Sequence, residues 1–105
     1  MDLERIEKLK AFLTEQPNDS FLQHALALEY IKIGDDNAAK QLFVNILQLD
    51  PNYVGSYYHL GKLLERQKLV DDAIECYNKG MGIAQSAKNN HAYNELQSAL
   101  EDLED

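Results

Sequence analysis

Apolar residues recur every three or four positions along most of this chain, and polar residues fill the positions between them. This spacing places the apolar side chains on one face of an α-helix. The pattern therefore predicts an all-α protein with six helices and no strands. The predicted helices cover residues 3–15, 20–33, about 35–50, about 54–67, 70–87 and about 90–103.

Several helix ends carry local signals. Asp19 or Ser20 is expected to cap the second helix, and Gly34 supplies the left-handed residue that ends it. Asp35 and Asp36 are the candidate caps of the third helix. That helix is expected to end at Asp50, because a residue that precedes proline is pushed out of the helical region.

The chain contains an internal repeat with a period of 34 residues. Pro17-Asn18 recurs as Pro51-Asn52 at this shift, and residues of similar size recur with it. The matched pairs are Leu26 with Leu60, Ala27 with Gly61, Ala39 with Ala73, Phe43 with Tyr77, and Leu47 with Met81. Residues 3–15 align with the second helix of a repeat, which places Leu9, Phe12 and Leu13 on one apolar face. Residues 90–103 align with the first helix of a repeat at a shift of 36.

These positions match the pattern W-x2-L-G-x2-Y, A-x3-F and P of the tetratricopeptide repeat. The first repeat has Gln23, Leu26, Ala27, Tyr30, Ala39, Phe43 and Pro51 at these places; the second has Tyr57, Leu60, Gly61, Leu64, Ala73, Tyr77 and Gln85. The chain therefore resembles a small bacterial-type tetratricopeptide repeat protein. Its departures are Gln23 and Tyr57 at the tryptophan positions, and Gly80 and Gly82 within a helix. For Gly80 we expect a close helix contact, and for Gly82 simple tolerance; the alternative is a hinge in this helix.

The resemblance implies a right-handed α-solenoid of antiparallel helix pairs. Residues 1–105 are expected to form a single domain. Within it we expect a half-repeat helix at 3–15, repeat one at 20–53, repeat two at 54–87 and a capping helix at 90–103.

Composition narrows the classes of partner and compartment. The 105 residues include 18 acids and 10 bases, for a net charge of −8, which disfavours binding to nucleic acid or to anionic membranes. No stretch reaches the roughly 18 apolar residues that a membrane span needs. Cys76 is the single cysteine and fits a reducing compartment, so we expect a cytoplasmic protein.

Members of the family generally bind peptides or protein segments in a concave groove lined by the first helix of each repeat. The resemblance implies a groove with an apolar patch at Phe21, Leu28 and Ile31 and a basic centre at Lys62 and Arg66. The full set of predicted site residues is Phe21, His24, Leu28, Lys32, Tyr58, His59, Lys62, Arg66 and Asn94. Such a surface suits a segment with an apolar anchor and a carboxylate. The alternative is that these residues only complete the core and a solvated face.

Three functions follow as hypotheses. The first is an adaptor that binds a protein segment, and the second is a self-associating protein that forms a homodimer through its apolar groove or end surface. The third is an enzyme or metal protein, in which His24, His59 and His91 on adjacent helices would be the ligands. Catalytic motifs are absent and Cys76 falls at a helix-packing position, so we expect no enzymatic activity, no catalytic or metal-binding residues and no cofactor.

One specialised function of the family does not transfer to this chain. Some members hold the carboxylate terminus of heat-shock chaperones with lysine, asparagine and arginine side chains. The matching places here hold His24, Leu28, His59, His91 and Glu95. Leu28 has no hydrogen-bonding side chain and Glu95 has the wrong sign for a carboxylate.

Overall fold

The computed structural model describes residues 3–104, so Met1, Asp2 and Asp105 of the expected domain lie outside the described part. Within it the chain forms six α-helices and no strand, which confirms the expected all-α class. The helices are α1 (Leu3–Glu15), α2 (Ser20–Lys32), α3 (Asp36–Leu49), α4 (Gly55–Arg66), α5 (Val70–Ser86) and α6 (Asn90–Glu104). They group into two compact units, one up to Asp50 with α1 to α3 and one from Pro51 with α4 to α6.

In the first unit, α2 packs against both α1 and α3. Ile6 and Leu9 of α1 form a buried cluster with Leu26 of α2. Phe43 of α3 has no exposed surface. Burial of these side chains is the main source of this unit's stability, since each removes apolar surface from water.

The exposure of Phe12 contradicts one prediction about α1. The repeat pattern placed it on the buried face with Leu9 and Leu13, yet its side chain is 57% exposed. Its counterpart one repeat later, Ile46, is fully buried. Ile46 lies on α3, which packs against α2, whereas the side of α1 that carries Phe12 is left open by the helices described between residues 3 and 104.

In the second unit, α5 packs against both α4 and α6. Tyr77 is fully buried and Tyr57 nearly so, and two glycines make room for their rings. A Cβ atom on Gly80 would lie 2.6 Å from the Cβ atom of Tyr57, which confirms the close helix contact expected there. A Cβ atom on Gly82 would meet nothing within 4 Å, as simple tolerance predicts.

The two residues at the tryptophan positions make equivalent hydrogen bonds in the two repeats. Gln23 donates from Nε2 to the carbonyl oxygen of Pro17 at 2.8 Å. The Tyr57 hydroxyl donates to the carbonyl oxygen of Pro51 at 2.7 Å. Each side chain therefore ties its helix to the turn six residues upstream, which explains how both repeats keep this corner without tryptophan.

The helix ends show which capping signal the chain uses. Asp19 caps α2, because its side chain accepts from the Leu22 backbone N–H at 3.0 Å. Asp35 caps α3 in the same way, accepting from the Ala38 N–H at 3.1 Å. Gly34 has φ +84°, the left-handed conformation expected of it.

Lys68 occupies the place of Gly34 one repeat later and is also left-handed, with φ +65°. The backbone bonds match as well, since the N–H of residue 68 bonds to Glu65 O and that of Leu69 to Leu64 O. A side chain with a Cβ atom is strained in this conformation. We therefore expect Lys68→Gly to raise the free energy of unfolding by about 1 kcal/mol, measured by urea denaturation.

The reciprocal change is the control for this prediction. Gly34→Lys should lower the stability by a similar amount, since it places a Cβ atom at the same backbone geometry. Equal stabilities for Lys68→Gly and the unmodified chain would contradict the assignment of strain to this corner.

Candidate functional site

The first unit presents the predicted site residues of α2 with differing exposure. Phe21 is 70% exposed, whereas Leu28 is half-buried. His24 is half-buried, with its ring edge-on to Phe43 at 5.5 Å between centroids. Phe21 is therefore the predicted residue of this unit with the most apolar surface open to a partner.

Lys32, also predicted on this face, is engaged by a buried carboxylate. Its Nζ lies 3.0 Å from Oε2 of Glu29, and Nε of Arg5 lies 3.4 Å from the same oxygen. The Glu29 side chain is only 6% exposed. Helical spacing allows the contact between Glu29 and Lys32, but the burial of Glu29 and its approach to Arg5 of α1 could not be predicted, because a glutamate within a helix is ordinarily solvated.

On α4 the predicted residues Tyr58, His59 and Lys62 form a half-buried cluster in the second unit. The rings of Tyr58 and His59 meet edge-on, with centroids 5.4 Å apart. Nζ of Lys62 lies 5.6 Å from the centre of the Tyr58 ring, within the range of a cation–π interaction. Arg66 and Asn94, the other predicted residues of this unit, are exposed on α4 and α6.

Glu65 joins this cluster to the core of the second unit. Its Oε2 lies 3.6 Å from Nζ of Lys62 and also accepts a hydrogen bond from the Tyr77 hydroxyl. Burial first, and then the hydrogen bond to Glu65, raises the pKa of Tyr77 above its ordinary value. The Tyr77 hydroxyl therefore stays protonated and donates to the carboxylate throughout the physiological pH range.

The predicted basic centre consequently has an acidic neighbour three residues along the same helix, and the contact of that neighbour with Tyr77 was not predicted. The internal repeat contains the signal. Ile31 and Phe43 of repeat one stand at the places of Glu65 and Tyr77 in repeat two. Both residues change from apolar to hydrogen-bonding between the repeats, and the structure shows the two side chains of repeat two in contact.

His59 has an altered titration. Burial lowers its pKa below the ordinary 6.5, and the Glu95 carboxylate of α6 opposes this in part. Because the neutral imidazole is favoured in the folded chain, His59 adds a donor and an acceptor, not a positive charge, to the α4 face at neutral pH.

The lowered pKa of His59 predicts how the free energy of unfolding changes with pH. As the pH falls, His59 becomes protonated near pH 6.5 in the unfolded chain but only at a lower pH in the folded chain. Protonation therefore favours the unfolded chain, and the free energy of unfolding decreases as the pH falls from 6.5 towards the lower folded pKa. We expect His59→Gln to reduce the loss of unfolding free energy between about pH 7 and 5, measured by urea denaturation at each pH. His91→Gln, at an exposed position of α6, is the control. Identical profiles for the two variants would contradict the prediction.

The lone cysteine is poorly suited to nucleophilic chemistry. Sγ of Cys76 donates to the Tyr57 carbonyl oxygen at 3.4 Å, and burial raises the pKa of its thiol to about 12. The thiolate, which is the reactive form, is therefore scarce at neutral pH. In the described part of the chain, no group of three His, Cys, Asp or Glu side chains is arranged to hold a metal ion. Nor is any helix between residues 3 and 104 long and apolar enough to cross a membrane.

Paired helices repeating every 34 residues, with an aromatic and charged cluster on one first helix, define a helical-repeat protein. A family model described as tetratricopeptide repeat matches residues 22–53 and 54–86. The chain belongs to the tetratricopeptide repeat family. Proteins of this family generally act as non-enzymatic protein-interaction modules.

Solved structures agree with this assignment. The crystal structure of a tetratricopeptide repeat domain protein from Salinibacter ruber is 42% identical and has a TM-score of 0.80, covering 82% of this chain and 96% of that one. The solution structure of a protein from Bordetella parapertussis is 28% identical with a TM-score of 0.81, covering 93% and 85%.

The curated relatives are much longer proteins. The human aspartyl/asparaginyl beta-hydroxylase is 31% identical over 65 residues, or 62% of this chain. The chain spans only 9% of the length of this relative and of its mouse equivalent. Their shared name describes those whole proteins, and the likeness carries no activity to this chain.

Proposed function

We propose that this chain is an adaptor that binds a segment of another protein through the first-helix faces of its repeats. The observation that carries the proposal is the α4 cluster, in which Tyr58, His59 and Lys62 are all half-buried on one helix. Partly exposed aromatic rings beside charged groups are typical of the residues that dominate the energy of protein–protein binding.

The two repeats show that this cluster is not demanded by packing. Repeat one has Leu28 where repeat two has Lys62, and His24 where repeat two has Tyr58. Both repeats nevertheless form the same helix pair. The residues that differ are therefore free to serve recognition, whereas small buried residues such as Ala39 and Ala73 serve the fold.

On α2, Phe21 supports the same function. A phenylalanine ring that is 70% exposed loses much unfavourable contact with water when a partner covers it. In this proposal Phe21 and Leu28 contact apolar side chains of the partner. The high pKa of Cys76 and the family's character favour an adaptor without enzymatic activity, and the single cysteine favours the cytoplasm.

The experiment is a selection of displayed random peptides on the immobilised chain, followed by calorimetry on the selected peptides. We expect Tyr58→Ala/Lys62→Ala to weaken their binding by tenfold or more, on the order of a binding hot spot. The matched control is Asn78→Ala/Lys79→Ala, two exposed residues of α5, which should bind as the unmodified chain does. A selection that yields no peptide, or peptides that bind both double variants equally well, would refute the proposed site.

Self-association is a second candidate, favoured by the exposed rings of Phe12 and Phe21 in the first unit. A homodimer would cover such apolar surface. Sedimentation equilibrium at high concentration tests it, with Phe21→Ser as the variant expected to dissociate. A monomer at every concentration would reject this candidate and leave the adaptor.

A further inference from the structure

We propose that Tyr77 is a positioning residue for the α4 site, and that the site binds a neutral amide group of the partner in preference to a carboxylate. The inference rests on the proposed function and deepens it. It replaces the carboxylate that the basic residues alone suggested with a ligand of different charge.

The first feature of this site is the hydroxyl group of a buried tyrosine. Tyr77 has no exposed surface, and its hydroxyl donates to Oε2 of Glu65. Nζ of Lys62 approaches the same Oε2 at 3.6 Å. Both contacts fall on Oε2, so Oε1 is the oxygen of Glu65 that can accept a hydrogen bond from a ligand.

Lys62 and Glu65 are partly exposed at the surface, although Glu65 is held by a hydrogen bond from the buried Tyr77. The side chains of Lys62 and Glu65 are 33% and 24% exposed, respectively. The Lys62 ammonium also lies 5.6 Å from the Tyr58 ring centre, which restricts its position further. The result is a fixed cation and a fixed acceptor, side by side on one helix face.

An amide matches this arrangement better than a carboxylate does. An asparagine or glutamine side chain, or a peptide group, offers an N–H to Oε1 of Glu65 and a carbonyl oxygen to Lys62. A carboxylate could contact Lys62 but has no hydrogen to offer Oε1 of Glu65 and would face the negative charge of that residue, with Glu95 also close enough to affect His59. Repulsion between like charges on a half-buried face therefore selects against it.

Repeat one shows that the network is not required for folding. Ile31 and Phe43 occupy the places of Glu65 and Tyr77, and this repeat forms its helix pair without a carboxylate or a hydroxyl there. The hydroxyl of Tyr77 thus has a role in orienting Glu65 and, through it, Lys62.

The positioning role is tested without any ligand. The observable is the ring-current shift that Tyr58 is expected to cause at the Lys62 ε-methylene protons, since the adjacent Nζ lies over that ring at 5.6 Å from its centre, and nuclear magnetic resonance measures it. We expect Tyr77→Phe to reduce this shift by at least half, because Glu65 loses its anchor. The matched control is Tyr57→Phe, which removes a hydroxyl from a nearly buried tyrosine that bonds to Pro51 instead. Equal Lys62 shifts in both variants would overturn the positioning role. Glu65→Gln, which changes the same link at the surface, is the second variant should Tyr77→Phe not fold.

The ligand class is tested with acetamide and sodium acetate at equal concentration and ionic strength. We expect acetamide to move the Tyr58, His59 and Lys62 resonances at least threefold more than acetate does. In Glu65→Gln, acetate should gain and the preference should fall or reverse, because the repelling charge is gone. An equal or larger effect of acetate on the unmodified chain, or no effect of either probe, would overturn the assignment.

The two proposals fail in different ways. If selected peptides bind α4 but acetate matches acetamide, the adaptor function stands and the ligand class is wrong. If acetamide is preferred but no peptide binds, the donor–acceptor pair exists and the adaptor function fails.

Discussion

Replacing Phe43 by alanine is expected to lower the free energy of unfolding by about 4 kcal/mol. The Phe43 ring has no exposed surface, and it packs edge-on against His24 in the first unit. Alanine removes the ring from this core and leaves a cavity that α2 and α3 can close only partly. The measurement is urea denaturation followed by circular dichroism.

Phe21→Ala is the matched control for this loss. The same substitution at a side chain that is 70% exposed should change the stability by no more than about 0.5 kcal/mol. Any effect of Phe21 should appear in partner binding instead. If the two alanine variants were equally stable, the assignment of Phe43 to the core would be wrong.

Gly61→Ala is expected to cost about 3 kcal/mol, although alanine favours helices. A Cβ atom on Gly61 would lie 2.2 Å from Cε1 and 2.6 Å from Cζ of Tyr77. The Tyr77 ring is fully buried, so it cannot move aside without displacing its neighbours or breaking its bond to Glu65. Thermal and urea denaturation both measure this cost.

Gly82→Ala provides the comparison on a helix of the same unit. Its Cβ atom would meet nothing within 4 Å, so the gain in helix propensity should raise the stability by about 1 kcal/mol. The two variants make the same chemical change with opposite expected signs. A stabilising effect of Gly61→Ala would show that α4 and α5 do not approach as closely as the structure has them.

These contrasts separate scaffold positions from recognition positions. Small and aliphatic residues that fill the helix contacts keep their character at the 34-residue shift, as Leu26 and Leu60 do. Residues on the α2 and α4 faces change character, and the change from Leu28 to Lys62 is an example. Substitutions of the first kind should reduce stability, whereas those of the second kind should chiefly alter binding.

The sequence by itself determined the helices, their order and the family. The helices depend on interactions within a few residues, such as apolar spacing, the Asp19 cap and the left-handed Gly34, and such local signals can be recognised in the sequence. The 34-residue period then identified the small residues at the helix contacts.

Only the tertiary structure decided how the charged and aromatic side chains are used. The sequence showed Lys62 as part of a basic centre with Glu65 three residues away on the same helix, and only folding brings Tyr77 of α5 to that carboxylate. It likewise placed Phe12 on a buried face that no helix in residues 3–104 covers. Both outcomes depend on which helix packs beside which, because a side chain's exposure and partners come from residues distant in the chain, and periodicity reports only the chain's own turns.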